Sequence, residues 1–470
     1  MPTVTDRLLR RSTSRYDVVV IGGGAGGITA AREANRRGAR TVLVQDGPLG
    51  GDCTHTGCVP SKTLLDAASR GATFEAAMAA VRDRIDEVSA TEDEEALGAE
   101  GIEVVAGRAQ LTGGRGVDVD GRRLRGRHII VATGGRPTVP PVPGLRDQPH
   151  LTNETVFDLR TQPRRLGVLG GGAIGVELAQ AFRELGSEVV IVEGEPRLLS
   201  REEPEASAVV ESRLRAGGVE VHTGSRLARV ERTEAGEHRL HLDSGTEVVA
   251  DRLLVATGRA PVTDGLGVEE AGVELDDRGY IRTDGSMATT ATGIWAVGDV
   301  TGRMPFTHAA GRMAFVAVGN ALSRIPFRTT QFDPAPIPWV TFTSPEVARV
   351  GMTEREAAAH GGRVAHLPLT AVDRALITGE TDGFVKLVAG PRRLLGSAAG
   401  GRLLGATIVA PSAGEMIGLV ALAMRTNMFT GRLAQTTQAY PTWSMAVQEA
   451  AVQFFMTRDG RTARDAQTDD

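Results

Sequence analysis

The chain has 470 residues and a formal net charge of −5, which gives no sign of the basic surface that binds nucleic acid. No stretch approaches the roughly 20 apolar residues of a membrane span, and residues 1–15 lack the apolar segment of a secretory signal. We therefore expect a cytoplasmic protein without a membrane partner, folded as three or four domains.

The first predicted element is a strand, Tyr16–Ile21, which leads into a glycine-rich turn at residues 22–27. A helix to Arg37 and a second strand, Thr41–Val44, follow the turn. Such a strand–turn–helix–strand unit places the pyrophosphate of a dinucleotide on the helix N-terminus. The predicted contacts to that dinucleotide are Gly22, Gly24, Gly27 and, at the end of the second strand, Gln45 and Asp46.

The two cysteines of the chain, Cys53 and Cys58, follow this unit. In an ideal helix, residues five apart have Cα atoms about 8–9 Å from each other, beyond the roughly 7 Å that a disulfide spans. A disulfide here needs an irregular turn, which Thr56-Gly57 can supply, and Pro60 suits the start of a helix whose N-terminus lowers a thiol pKa. The alternatives are two structural thiols, or a zinc half-site that lacks a second cysteine pair; we predict no metal site.

A second unit repeats the pattern of the first. A strand at 166–169 precedes the glycine-rich turn 170–175, a helix to Leu185 and a strand at 188–192. Each unit is closed by a near-identical strand end, residues 128–134 and 252–258, and two such units indicate two dinucleotide sites. Glu193 follows the strand and repels a 2′-phosphate, which favours NADH over NADPH. The glycines predicted to approach this dinucleotide are Gly170, Gly172 and Gly175.

The rest of the chain predicts a helical region at 62–95, a strand at 101–112 and a C-terminal α+β block. Proline-rich segments at 136–144 and 333–338 suggest domain boundaries. The predicted domains are a first dinucleotide-binding domain at 1–155 that resumes at 285–335, a second dinucleotide-binding domain at 156–284, a C-terminal domain at 336–456 and a disordered tail at 457–470.

Several motifs together resemble the pyridine nucleotide–disulfide oxidoreductases, a family that includes dihydrolipoamide dehydrogenase, glutathione reductase and mercuric reductase. These motifs are the cysteine segment, the two glycine-rich turns and residues 256–259, 294–299 and 342–346. The resemblance extends from about residue 15 to 455. It implies an α/β fold with two Rossmann-like dinucleotide-binding domains and a C-terminal α+β dimerisation domain. It further implies FAD on the first unit, NAD(P)H on the second and a homodimer whose active site is completed by the partner.

The resemblance also implies roles for individual residues. Cys58 resembles the thiol next to the flavin and Cys53 the thiol that attacks the substrate. Lys62 and Glu177 resemble a buried pair beside the flavin, which agrees with the cost of burying either charge alone. His55 and His308 are expected to make structural contacts rather than move protons. The further cofactor contacts implied by the resemblance are Gly51, Ala132, Thr133, Gly134, Gly258, Asp299, Thr307, His308 and Ala309.

One position departs from the family pattern. The disulfide reducers of this family carry a His-Pro…Glu segment near the C-terminus, in which the histidine is the acid–base group. Here Tyr440 stands at the position of that histidine and Met445 at that of the glutamate. A phenol with a pKa near 10 is a poor base at neutral pH. Mercuric reductase has a tyrosine in this region, but it also uses C-terminal cysteines, and no cysteine follows Cys58 here.

Three functions are therefore consistent with the sequence. The first is an NADH-dependent flavoprotein reductase that passes electrons through Cys53 and Cys58 to a small-molecule acceptor, which is a disulfide, a quinone or a metal ion. The second is a direct NADH:quinone or diaphorase enzyme in which the thiols are dispensable. The third is a dihydrolipoyl dehydrogenase-like subunit docked on a larger complex.

Overall fold

The structure is a computed structural model that describes residues 14–325, 329–392 and 396–468. Residues 1–13 of the first predicted domain and the last two residues of the predicted tail lie outside the described residues. None of the helices in the described part of the chain combines the length and the apolar character that crossing a bilayer requires.

The N-terminal unit is built on a mainly parallel sheet. Its elements are β1 (Ser14–Ile21), α1 (Ala25–Arg36), β2 (Thr41–Gln45), α2 (Gly51–His55), α3 (Cys58–Ser69), α4 (Phe74–Ser89), α5 (Glu94–Ala99), β3 (Glu103–Ala106), β4 (Ala109–Leu111), β5 (Gly116–Val119), β6 (Arg122–Val131) and β7 (Gly135–Pro137). The strand order is β3-β2-β1-β6-β5-β4, and β1 pairs in parallel with β2 and β6. The apolar β-branched run of β1 is fully buried at Val18, Val19 and Val20, as expected for a strand covered on both faces.

Two predicted segments are divided by glycines. The predicted helical region 62–95 forms parts of α3, α4 and α5, and the first break contains Gly71 with φ of +74°. The predicted strand 101–112 is split into β3 and β4 at Gly107, where φ is +138° and a Cβ would lie 2.4 Å from a carboxylate oxygen of Asp120. Glycine tolerates this left-handed backbone, so the chain can turn and start the β4–β5 hairpin.

The second unit repeats the topology of the first. Its elements are β8 (Arg165–Leu169), α6 (Ala173–Glu184), β9 (Glu188–Val192), α7 (Pro204–Ala216), β10 (Glu220–His222), β11 (Leu227–Arg232), β12 (His238–Leu242), β13 (Glu247–Ala250), β14 (Arg252–Val255) and β15 (Arg259–Pro261). The parallel order β10-β9-β8-β14 matches β3-β2-β1-β6, while β11, β12 and β13 form an antiparallel meander. Strand β15 pairs with β7 and so joins the two units.

The chain then returns to the first unit. The returning elements are β16 (Ile294–Ala296) and α8 (Thr307–Ala321). Strand β16 adds in parallel to the carboxyl end of β6. Helix α8 buries its alanine- and valine-rich face in the same core as α1, which fixes the N-terminus of α8 beside the first glycine-rich turn.

The C-terminal block is an antiparallel sheet with helices. Its elements are β17 (Pro338–Thr341), β18 (Glu346–Gly351), α9 (Glu354–Ala358), β19 (Arg363–Pro368), α10 (Asp373–Thr378), β20 (Phe384–Gly390), β21 (Arg402–Ala410), α11 (Ala413–Arg425), α12 (Thr430–Gln435), α13 (Met445–Val452) and β22 (Arg464–Asp465). The strand order is β17-β18-β21-β20-β19-β22. The predicted fold class, two Rossmann-like units followed by an α+β block, is confirmed.

The tail differs from the prediction of disorder. Strand β22 pairs with the edge strand β19, and the N–H of Ala463 donates to the carbonyl of Gln453 at 2.9 Å. The guanidinium of Arg464 also contacts the carboxylate of Glu354. A free sheet edge and an ion pair therefore order a segment whose composition is polar, because an unpaired edge offers backbone partners that sequence composition does not reveal.

Candidate active site

A break between two helices places the two cysteines. Helix α2 ends before Thr56, and α3 begins at Cys58. A Cβ on Gly57 would lie 2.7 Å from the carbonyl oxygen of Asp52, so the chain can turn this tightly only with glycine. The irregular turn predicted at Thr56-Gly57 is thus observed. Both cysteines are free thiols, as in the reduced form of the pair.

The two thiols differ in their affinity for a proton. The pKa of Cys58 is lowered to about 6. The largest cause is a hydrogen bond from Cys53, and the Thr307 hydroxyl and the Lys62 charge add to it, so that together they outweigh the effect of burial. The hydroxyl of Thr307 lies 3.4 Å from the sulfur of Cys58. The pKa of Cys53 is raised well above the usual thiol range, first because its proton is held by Cys58 and second because it is buried. At neutral pH the pair therefore carries its negative charge on Cys58.

The predicted pair of Lys62 and Glu177 is brought together. The ammonium of Lys62 lies 2.7 Å from one carboxylate oxygen of Glu177, whose side chain is only 5% exposed. The other oxygen accepts the N–H of Phe342 at 2.8 Å, and the ammonium lies 4.7 Å from the centre of the Phe342 ring. Glu177 is therefore compensated on both oxygens, which meets the main requirement for a buried carboxylate.

The glycine-rich turns have the close approaches that a dinucleotide site requires. A Cβ on Gly27 would lie 1.8 Å from the carbonyl oxygen of Gly22, and a Cβ on Gly175 would lie 2.0 Å from that of Gly170. Gly24 and Gly172 are the N-caps of α1 and α6, and neither helix has a side-chain cap. The first N–H groups of both helices are thus left for a phosphate.

The ends of β2 and β9 have equivalent hydrogen bonds. The carboxylate of Glu193 accepts the N–H of Gly171 at 2.5 Å and that of Glu195 at 2.8 Å. In the first unit the side-chain oxygen of Gln45 accepts the N–H of Gly23. The Gln45 amide donates to the carbonyls of Asp46 and Pro48, both at 3.0 Å. Gln45 and Glu193 therefore support the two glycine-rich turns in the same way.

The remaining predicted cofactor residues lie around the first turn, except Gly258, which follows the return strand of the second unit. Gly51 approaches it closely, since a Cβ on Gly51 would lie 2.7 Å from the Cα of Gly24. Thr133 donates to the carbonyl of Val262 at 2.7 Å. The other predicted residues lie at the carboxyl ends of β6 and β14, after β16 and at the start of α8, and these are Ala132, Gly134, Gly258, Asp299, His308 and Ala309. The positions around the first turn, the open N-terminus of α1 and a cleft of about 280 Å³ beside Gln45 fit FAD.

The two histidines near the site are held by backbone carbonyls. The Nε2 atom of His55 lies 2.6 Å from the carbonyl of Leu49, and that of His308 lies 2.6 Å from the carbonyl of Pro338. The ring of His308 also stacks on Phe306. These contacts agree with the expectation that both residues are structural.

An ion pair that the sequence did not predict joins the two units. The guanidinium of Arg259, at the start of β15, contacts the carboxylate of Asp52 and donates to the carbonyl of Gly135 at 2.7 Å. It also lies 3.5 Å from Asp299, whose pKa is raised by burial. The motif at residues 256–259 was the available signal, but Asp52, the partner of Arg259, is 207 residues away in sequence.

Tyr440 lies in the C-terminal block, and its side chain is mostly exposed. Its hydroxyl donates to the carboxylate of Asp373 at 3.1 Å. The pKa of Tyr440 is raised by this hydrogen bond and by the charge of Asp373. Met445, at the position of the family glutamate, is the first residue of α13. The phenol is thus a weaker acid than usual, and no imidazole stands at this position.

The chain belongs to the pyridine nucleotide-disulphide oxidoreductase family. The model of that family matches residues 16–314, and the model of the family's dimerisation domain matches residues 337–451. Proteins of this family are FAD- and NAD(P)-dependent enzymes, so this chain is an FAD-dependent pyridine nucleotide-disulphide oxidoreductase.

The chain is similar to relatives that are named for different activities. It is 38% identical to a dihydrolipoyl dehydrogenase of Chlorobaculum tepidum, over 93% of this chain and 97% of that protein. It is 37% identical to a mercuric reductase of Streptomyces lividans, over 93% and 96%. Among solved structures, a Cu(II) complex of the HOCl-induced flavoprotein disulfide reductase RclA from Escherichia coli superposes with a TM-score of 0.85 and 29% identity, covering 93% and 99%.

Proposed function

We propose that this enzyme takes electrons from NADH and passes them through the Cys53–Cys58 pair to a quinone or a thiophilic metal ion, in preference to a small disulfide. The chemistry that FAD supplies when bound is two-electron transfer between the nicotinamide and the cysteine pair. Gly22, Gly24, Gly27 and Asp299 would hold it on the first unit. The Cys58 thiolate, next to Thr307 and Lys62, is the group that would face it.

The observation that carries this proposal is the Tyr440–Asp373 hydrogen bond. Reduction of a small disulfide releases a thiolate that needs a proton, and a positioned acid–base group contributes about 10²–10⁴-fold to such a step. The raised pKa of Tyr440 makes the phenol a poor donor and its phenolate scarce at neutral pH. A metal ion needs no proton at a leaving sulfur, and a quinone can take its protons from solvent.

The proposal also covers the nicotinamide cofactor, the oligomeric state, the location and the acceptor. NADH is preferred over NADPH because the Glu193 carboxylate lies at the end of β9, where it repels a 2′-phosphate. The dimerisation domain supports a homodimer in which the partner's C-terminal block completes the site. A cytoplasmic location is in keeping with a cysteine pair that cycles between thiols and disulfide. The mercuric reductases and the copper complex of RclA add support for a metal ion as acceptor.

The test is NADH turnover with lipoamide, glutathione disulfide, a benzoquinone, Cu²⁺ and Hg²⁺ as acceptors. We expect kcat/KM for a quinone or a metal ion to exceed that for either disulfide by about 10²-fold or more, the size of a missing acid–base contribution. Efficient disulfide reduction that is lost in Tyr440→Phe would contradict the proposal. A Cys58→Ser enzyme that keeps full quinone turnover would instead favour direct reduction at the flavin, with dispensable thiols.

A further inference from the structure

Glu92, in the loop between α4 and α5, packs against the segment that contains Cys53. The hydroxyl of Thr54, which follows Cys53 directly and is buried, donates to Glu92 Oε2 at 2.9 Å. A Cβ on Gly50 would lie 3.0 Å from the same oxygen. The carboxylate is therefore held against α2 from two points, although it comes from a loop 38 residues further along the chain.

Groups of opposite charge thus lie at the two ends of the cysteine pair. The Lys62 ammonium acts on Cys58 from α3, with Glu177 of α6 as its partner. The Glu92 carboxylate acts on Cys53. From α8, the neutral hydroxyl of Thr307 faces both sulfurs.

The other charged groups nearby do not form an ion pair with Glu92. The carboxylate of Asp52, next to Cys53 in sequence, contacts the guanidinium of Arg259. The imidazole of His308 on α8 is held by the carbonyl of Pro338. Arg32 of α1 and Arg312 of α8 line the same cavity as Glu92, and Arg32 pairs with Glu100. Glu92 is therefore the carboxylate that the described residues place at the Cys53 end without a cationic partner.

We propose that Glu92 is a positioning residue that keeps the proton of the reduced pair on Cys53 and so confines the negative charge to Cys58. The inference rests on the proposed function, in which the pair carries the electrons. In an enzyme without an imidazole at position 440, this charge arrangement selects the protonated sulfur without help from a base. The elevated pKa of Cys53 agrees, because the Glu92 charge adds to the larger effects of Cys58 and burial.

The arrangement defines what happens to the proton when the pair is oxidised. The Cys53 thiol and the Cys58 thiolate form one S–S bond and give two electrons to one quinone, one Hg²⁺ or two Cu²⁺, and the S–H bond of Cys53 breaks to release one proton. Glu92 and Thr307 line one cavity of about 600 Å³, which Ala25 and His308 of the proposed FAD site also line.

The experiment measures the thiol pKa of Cys53 in the FAD-loaded Cys58→Ser enzyme, where it is the sole cysteine. The rate of alkylation by iodoacetamide is followed against pH, without nicotinamide or acceptor. Glu92→Gln keeps an oxygen for the Thr54 hydroxyl and removes the charge. In Glu92→Gln we expect the midpoint of the curve of alkylation rate against pH to fall by about half a pH unit. This is the size expected for one charge several ångströms away in a partly hydrated site. Glu95→Gln, at an exposed position in the first turn of α5, should leave the midpoint unchanged.

Two further variants separate charge from anchoring. Thr54→Val removes the hydrogen bond but keeps the carboxylate, so its midpoint should fall less than that of Glu92→Gln. In Cys53→Ser, where Cys58 is the sole thiol, Glu92→Gln should move the midpoint less than it moves that of Cys53. An unchanged Cys53 midpoint in Glu92→Gln, or an equal fall in Thr54→Val, would overturn the proposal. Because no acceptor is present, neither result depends on which acceptor the enzyme uses.

Discussion

The carboxylate of Glu177 lies 2.7 Å from the ammonium of Lys62, although 115 residues separate them in sequence. The pair joins α6 of the second unit to α3, the helix that begins at Cys58. It therefore couples the nucleotide-binding unit to the thiol whose charge it influences, since Lys62 lowers and Glu177 raises the pKa of Cys58.

Lys62→Met should raise the pKa of Cys58 from its value of about 6, because the change removes a positive charge and leaves the Glu177 carboxylate uncompensated. The pKa is read in a Cys53→Ser background from the long-wavelength absorbance of the thiolate against oxidised flavin. Lys62→Arg keeps the charge and serves as the control, with a smaller change expected. An unchanged pKa of Cys58 in Lys62→Met would show that helix N-termini and hydroxyls alone stabilise the thiolate.

Cys53→Ser should show that absorbance at neutral pH without any reductant, because it frees Cys58 from the disulfide. Cys58 is charged above its pKa and neutral below it, so the band should fade as the pH drops through the region near 6. The serine hydroxyl can replace the Cys53 thiol as hydrogen-bond donor. The absence of the band at every pH up to the range of free thiols would mean that the assignments of Cys53 and Cys58 are wrong.

The protein should be yellow, with one FAD per chain, and the Gly27→Ala variant should bind far less FAD. The added methyl group would lie 1.8 Å from the carbonyl oxygen of Gly22, so the turn must open. Gly98→Ala is the matched control, because its Cβ meets no atom within 4 Å and alanine suits the helix α5. FAD content is measured by flavin absorbance and folding by circular dichroism. Full FAD content in Gly27→Ala would show that this turn is not part of the FAD site.

Glu193→Gln should raise the ratio of kcat/KM for NADPH to that for NADH by about tenfold, because it removes a charge that repels the 2′-phosphate. Glutamine keeps an oxygen for the N–H of Gly171, which the carboxylate accepts at 2.5 Å. Glu195→Gln, an exposed neighbour, should have little effect. A wild-type enzyme that prefers NADPH would show that a base such as Arg197 outweighs Glu193.

The parts of the fold and site that sequence predicts are those encoded by local patterns. The two glycine-rich turns, their return strands and the helix break at Gly57 each follow from the steric needs of neighbouring residues. The Arg259–Asp52 and Glu92–Thr54 contacts could not be predicted, because any exposed charge has many possible partners before the chain folds. The pairing of β22 with β19 was missed for a similar reason. An edge strand pairs through backbone hydrogen bonds, which leave no side-chain pattern in the sequence.

The most direct test of the proposed function is the double change Tyr440→His with Met445→Glu, assayed with lipoamide, glutathione disulfide and a quinone. The imidazole supplies the acid–base group and the carboxylate orients it and stabilises its cation. We predict that turnover of the small disulfides rises at least about tenfold while quinone turnover stays within a factor of about three. Wild-type disulfide reduction that is already efficient and is abolished in Tyr440→Phe would contradict this account and make the phenol itself the acid–base group.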